Sequence, residues 1–293
     1  MTTVSDSSVP VVASSVGPPP RKLRAARRRR TTVFRWITVV IVGGFFLIPL
    51  YSLFESSTKN LGGRRVWDAW QAVGSLATAD DPNSKLLWVG LRNSLFLVAL
   101  TLIIMLVLLV PTMTWIRLRV PWMRRTMEFV CLLALTIPAI VLVVGLAPIY
   151  RQISHILSTD TIWLCFAYAV LVLPFAYRSL DAGLDAIDVK TLSEAARSLG
   201  SSWTGVILRI VIPNIRSAVV SACFISLALV LGEFTFASLL NRQNFATAIF
   251  QVGQDDGRLA MALSLVSLLV AFVLLLVLSL FSHSRKGRKG KTA

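Results

Sequence analysis

Acidic and imidazole side chains are scarce in this chain, with 14 Asp and Glu and 2 His among 293 residues. The histidines, His155 and His283, fall in a short connection and in a basic tail. No buried His and carboxylate pair is therefore available for general acid–base chemistry, and no catalytic residue is expected. Cysteine is equally sparse. Cys131, Cys165 and Cys223 each lie in a different apolar segment, so neither a disulfide framework nor a metal-ligand spacing can be drawn, and all three read as packing residues. The sequence also lacks a G-x-x-x-x-G-K-[ST] phosphate loop, which excludes ATP hydrolysis of that kind by the chain itself.

Apolar residues are abundant. They make up 55% of the chain, and the mean hydropathy is +0.73, beyond the range of ordinary water-soluble domains. Runs of about 20 apolar residues, enough to cross a hydrocarbon core as helix, recur along the sequence. We place six spans at Val33 to Phe54, Asn93 to Trp115, Met127 to Leu146, Ile162 to Tyr177, Ile215 to Leu231 and Leu259 to Phe281. The alternating pattern of barrel strands is missing, so the expected fold is an all-α polytopic membrane bundle.

The net charge of +16 would suit nucleic acid if it were gathered in one patch, but it is spread by topology. Twenty-two of the 30 Lys and Arg lie on one side: eight at the start of span 1, four between spans 2 and 3, five around the connection of spans 4 and 5, and five after span 6. The alternate connections hold only eight. The positive-inside rule then places both termini in the cytoplasm, and the expected partner of the charge is the bilayer surface rather than nucleic acid.

The domain plan follows from this reading. Residues 1–32 read as a disordered basic tail, 33–54 as span 1, 55–92 as an extracytoplasmic loop, 86–282 as the main transmembrane domain and 283–293 as a second basic tail. Span 1 is near full membrane length and has no small-residue cleavage site, so it is expected to be retained.

Between spans 4 and 5, residues 178–213 are too patterned for a plain connector. Leu192, Ala195, Ala196 and Leu199 recur at helical spacing as one apolar stripe. Gly200 is placed to stop that helix in the left-handed conformation. Ser201 or Ser202 is placed to cap a second helix carrying Trp203, Val206, Ile207 and Ile210, and Pro213 is expected to open span 5. Pattern alone fits equally an amphipathic helix lying on lipid headgroups.

Glu194, Ala195, Ala196 and Gly200, followed after nine residues by Ile210, Val211, Ile212 and Pro213, resemble the EAA loop of binding-protein-dependent ABC importer permeases. Ile212 stands where that pattern has Leu. The resemblance extends over roughly Leu86 to Phe281, including Asn93, Ser94 and Leu95 and the Pro138 of span 3. It implies a six-span permease of the type I importer class in a prokaryotic cytoplasmic membrane, working by alternating access. The implied coupling contact is Glu194, Ala195, Ala196, Gly200 and Pro213, docked on a dimer of ATP-binding subunits. A second permease subunit, a distinct homologue, and an extracytoplasmic substrate-binding protein complete the assembly. ATP and Mg belong to the partner ATPase, and no cofactor is expected on this chain.

The tracts IPAIVLVVGLAPIY, YRSLDAGLDAID and VLGEFTFASLLNRQNF look most like the spermidine and putrescine permeases, a group that shades into ferric iron, thiamine and aminoalkylphosphonate permeases. A polyamine needs carboxylates or aromatic faces along its route. Ser226 and Glu233, seven apart, share a face of span 5 and are the candidate pathway residues. Asp255 and Asp256 read as loop residues with a lesser claim to substrate contact, and Pro138 and Gly145 as a packing kink. The competing classes are an ion-gradient secondary carrier, which needs charges at mid-membrane and paired broken helices, and a membrane scaffold without transport.

Overall fold

The computed structural model describes residues 21–60, 62–75 and 81–284, with side chains from residue 34 to residue 277. Of the expected tails at 1–32 and 283–293, residues 1–20 and 285–293 lie outside them. Contacts divide the chain into two units, Met1–Ser52 and Leu53–Ala293. The first holds most of α1 (Arg21–Thr58), whose residues from Phe34 onward present apolar side chains outward. The helix starts at Arg21, so residues 21–32, expected in a disordered tail, carry helical backbone. Their Lys, Arg and Ala are strong helix formers.

In the second unit come α2 (Asp68–Ser75), the 38-residue α3 (Pro82–Arg119), α4 (Arg124–Leu133), α5 (Ala139–Ile156) and α6 (Cys165–Asp185). The connection of spans 4 and 5 forms α7 (Val189–Ser198), α8 (Trp203–Gly205), a π-helical stretch at Val206–Val211 and α9 (Ile212–Asn214). Then follow α10 (Arg216–Leu231), α11 (Thr235–Leu239), α12 (Phe245–Asp255) and α13 (Gly257–Ser284). Among the described residues the only bridge of strand type joins Lys59 to Arg65. Five helices are long and apolar enough to span, or six if the bent pair Trp203–Asn214 and Arg216–Leu231 counts as one. The all-α membrane bundle is therefore what the chain forms.

Two expected spans are built differently. Span 3 is broken at residues 134–138. Pro138 has no N–H and disfavours helix in the residue before it, and with ψ 140° it is extended and opens α5. The long apolar helix is therefore Ala139–Ile156, displaced from the expected Met127 to Leu146. Nor does Pro213 open span 5. It lies inside α9, and an 81° bend separates that segment from α10. The Asn214 amide donates to the carbonyl of Ile210 at 2.7 Å, taking up an acceptor beside the break. At 16 residues, α10 is about 24 Å long, short of a hydrocarbon core.

Helix α6 sits at the centre. Leu164, just before it, and Cys165, Tyr168, Val172, Ala176, Leu180 and Leu184 along it are wholly enclosed, with α3, α4 and α10 packed around it. Lipid tails are as apolar as Leu, so such helices are held by close packing rather than by water exclusion. The α6–α10 seam is made of small residues accordingly. A Cβ added at Gly183 would lie 2.3 Å from the Ala218 Cβ, and the Ser179 hydroxyl donates to the Ala218 carbonyl at 3.0 Å. A second apolar cluster joins α3, α12 and α13 through Leu87, Ala248, Val252, Leu259 and Leu263.

Gly183→Val pushes these helices apart at a contact between two backbone-rigid positions. We expect it to destabilise the subunit by about 1–3 kcal/mol, the range of overpacked cores, while Gly145→Val, at a position open to space, changes stability far less. Thermal unfolding of the two variants in detergent checks the difference.

Candidate functional site

Helix α7 is a short rod with well-defined ends. Asp188 caps its start, accepting from the Thr191 backbone N–H at 3.1 Å and from the Thr191 hydroxyl at 2.6 Å, and these bonds hold its carboxyl below the usual carboxylate range. At the other end Gly200 adopts φ +84°. The Gly200 N–H donates to the Arg197 carbonyl and the Ser201 N–H to the Ala196 carbonyl, at 3.0 and 3.1 Å. These two bonds are the Schellman arrangement, which needs a left-handed residue at the Gly200 position. Ser202, rather than Ser201, caps α8 through the Gly205 N–H at 3.2 Å. The chain reverses within four residues, so α7 and α8 form one knob.

Its faces differ from the expected stripe. Val189, Ser193 and Ala196 point into the bundle, Ala196 being 7% exposed. Thr191, Glu194, Ala195, Ser198 and Leu199 face outward, and Leu199 is 87% exposed. The alanines Ala195 and Ala196 thus serve opposite faces, since neighbours in a helix diverge by about 100°. Pro213 is exposed on α9 beside the bend. In the π-helical stretch, hydrogen bonds join residues five apart, and Val206 and Val211 are both buried. Of the expected stripe from Trp203 to Ile210, Val206 is buried and Ile207 and Ile210 pack against the core, while Trp203 is exposed and Val211 joins the inner side.

A four-membered ionic ring lies beside the knob. Arg117, in the last turn of α3, donates to Asp185 at 2.7 Å, to the Asp181 carboxylate and to the Asp181 carbonyl at 3.0 Å. Arg124, the first residue of α4, donates to Asp181 at 2.9 Å and Asp185 at 2.5 Å. The two aspartates, one turn apart on α6, would repel each other if unpaired, and two arginines neutralise them. Both carboxylates drive the Arg124 guanidinium further into its charged form, Asp185 most. Arg119, two residues beyond Arg117, turns the other way. Its guanidinium carbon lies 5.5 Å from the centre of the Trp203 ring, and that of Arg197 lies 5.0 Å from it. Contacts of this kind contribute about 0.5–1 kcal/mol each when exposed.

The opposite end holds a buried polar cluster. Glu233 is 8% exposed. One carboxylate oxygen accepts from the Tyr168 hydroxyl at 2.9 Å and the other from the Phe236 N–H at 2.9 Å. Asn244 donates to the Glu233 carbonyl at 2.6 Å and heads a capping box that starts α12. Asn93 donates to the Gln243 carbonyl at 2.9 Å, and the Ser94 hydroxyl accepts from the Phe245 N–H at 2.9 Å. Together these bonds fasten the α10–α12 corner to α3 and α6. Ser226 is also fully enclosed, and its hydroxyl finds no partner among the described residues. The two candidate pathway residues therefore lie within the packing of this subunit. Asp255 is exposed, while Asp256 caps α13 by accepting from the Arg258 and Leu259 N–H groups at 2.9 and 3.2 Å.

Reading by composition counted Arg117 and Arg124 only as topological charge and left out Asp181, Asp185, Tyr168 and Asn244. One signal for the ring was present: two aspartates four apart, directly before the patterned loop.

Tyr168→Phe removes the donor to a buried carboxylate oxygen and leaves it unmet. We expect a loss of about 1–3 kcal/mol, seen as a lower unfolding temperature in detergent, with Tyr51→Phe, at an exposed position, as the neutral reference. No curated protein matches the chain. The family profile described as binding-protein-dependent transport system inner membrane component does match, over residues 112–285. The matched region begins in α3, later than the expected Leu86, so Asn93, Ser94 and Leu95 fall outside it. It takes in the ionic ring, the α7–α8 knob, the Glu233 cluster and α13. A match over more than half of the chain, on a bundle with five or six candidate spans, makes the chain a member of the binding-protein-dependent transport system inner membrane component family.

Proposed function

We propose that the chain is one of two permease subunits of an ATP-driven importer and that the outward face of α7 is the contact for a separate ATPase. The carrying observation is the division of α7 into two faces. Val189, Ser193 and Ala196 lock it to the bundle, while Thr191, Glu194, Ala195, Ser198 and Leu199 stand free. A helix anchored on one side can pass a push from its free side to the spans. The small Ala195 and Ser198 permit close approach, and Leu199 offers a protruding apolar plug of the sort that anchors an interface. The Gly200 turn fixes the angle of presentation. A helix resting on lipid would present a broad apolar face to it, whereas three of these five residues are polar or charged.

In this reading both termini and the knob are cytoplasmic, in line with the distribution of Lys and Arg. The cargo is a small solute handed over by an extracytoplasmic binding protein. A polyamine cargo rests on resemblance of sequence tracts alone, because both Glu233 oxygens are taken by Tyr168 and the Phe236 N–H. Glu233 has a structural task, and at 8% exposed it is shielded from a passing cation.

Four outcomes test the reading. The chain is expected to copurify with an ATPase, and Ala195→Trp is expected to abolish that retention while the subunit stays folded. Ala196→Trp is expected to lower the stability of the subunit itself, because its side chain points inward. Retention of the ATPase by Ala195→Trp removes α7 as the docking element. In a background free of Cys131, Cys165 and Cys223, Ser198→Cys is expected to resist an impermeant maleimide in intact cells. Ready labelling reverses the topology.

A further inference from the structure

The last turn of α3 is gripped from two sides. Arg117 and Arg119 are two positions apart, about 200° round the helix, so they leave α3 in opposite directions. Through Arg117 the helix holds the end of α6, where Asp181 and Asp185 close the ring with Arg124 of α4. Through Arg119 it holds the knob, because Trp203 of α8 lies under both Arg119 and Arg197 of α7. Trp203 is at once the first residue after the cap of α8 and the point where α3, α7 and α8 meet.

The connectivity gives these contacts mechanical meaning. Between the last residue of α6 and the first of α7 lie only Ala186, Ile187 and Asp188. A shift of α7 therefore reaches α6 directly along the chain, but it reaches α3 and α4 only through side chains. Helix α3 is continuous for 38 residues, whereas α4 leads into the break at Pro138 and then α5. We propose that the end of α3 is the hub that distributes movement of α7 among the spanning helices, with Arg119 and Trp203 as its input and the ring of Arg117, Arg124, Asp181 and Asp185 as its output. These are positioning residues, none of them on the outward face of α7, and the proposal rests on the permease reading.

The test uses the full chain purified with its ATPase, in the cysteine-free background, with one reporter cysteine at Leu157, an exposed residue just beyond α5. The probe is ATP with vanadate, and the readout is the change in maleimide labelling rate at the reporter. Arg119→Ala and Trp203→Leu are each expected to cut that change at least fivefold without altering ATPase retention or basal hydrolysis. Arg119→Lys, which keeps a cation over the ring, is expected to restore most of it. The double variant should be no worse than either single one, since both act through one contact. Asp185→Asn, on the output side, should give the same loss. A normal response in Arg119→Ala and Trp203→Leu overturns the proposal, and so does a response lost together with ATPase retention, which makes the contact a support for docking only. Failure of the permease reading is distinct: the unaltered chain then retains no ATPase, and the hub falls with it.

Discussion

Burial of one long face of α6, from Cys165 to Leu184, is the constraint on which the remaining structure depends. A helix packed this deeply leaves few of its polar groups unpaired, so its polar side chains decide what must lie beside it. Tyr168 requires an acceptor and finds Glu233; Asp181 and Asp185 require cations and find Arg117 and Arg124. One apolar axle thus carries a polar fastening near each end. The first holds the corner made by α10, α11 and α12. The second holds the ends of α3 and α4. Between them the contact with α10 is close enough to exclude even one methyl group at Gly183.

Stiffness is unevenly divided around that axle. Helix α3 runs unbroken past it, while the chain before and after α6 is interrupted, at 134–138 before α5 and at Ile215 before α10. Backbone breaks in an apolar segment persist when neighbouring groups take up the freed carbonyls. Thr136 does so at the first, donating to the Leu133 carbonyl at 2.7 Å, and Asn214 at the second. A continuous rod flanked by two jointed paths is an arrangement in which a push at one end becomes relative motion at the other.

Much of this was legible in the sequence. Length and apolarity of the runs settled the fold class, because few other structures satisfy a backbone in lipid. The glycine turn was legible too, since few residues besides Gly tolerate the conformation that Gly200 adopts. Direction was harder. Periodicity says which residues share a face and not where the face points, so Ala196 was grouped with Ala195 although it is buried. Spacing also assumes an α-helix, and the stretch Val206–Val211 is not one. Glu233 was read as a pathway residue because it shares a face of span 5 with Ser226; its partners, Tyr168 and the Phe236 N–H, are supplied by tertiary structure. The ionic ring joins residues 57 to 68 positions apart, a distance over which single-sequence patterns carry no signal.

The π-helical stretch has a further bearing, on how such a loop tolerates changes in length. Its bonds enclose one residue more than those of an α-helix. Deleting a single residue between 206 and 211 would let the segment relax to ordinary helical winding. Val211 would then lie four α-helical positions from Val206 instead of five π-helical ones, about 40° round the axis, and would keep its inward place. Insertions and deletions are usually absorbed by loops at the surface, but here an insertion, or a second deletion, has no such slack and would be felt as a rotation of about 100° per residue. The spacing of nine residues between Gly200 and Ile210 is therefore a phase relation between two anchored parts, and a segment of this kind can drift in composition far more freely than in length.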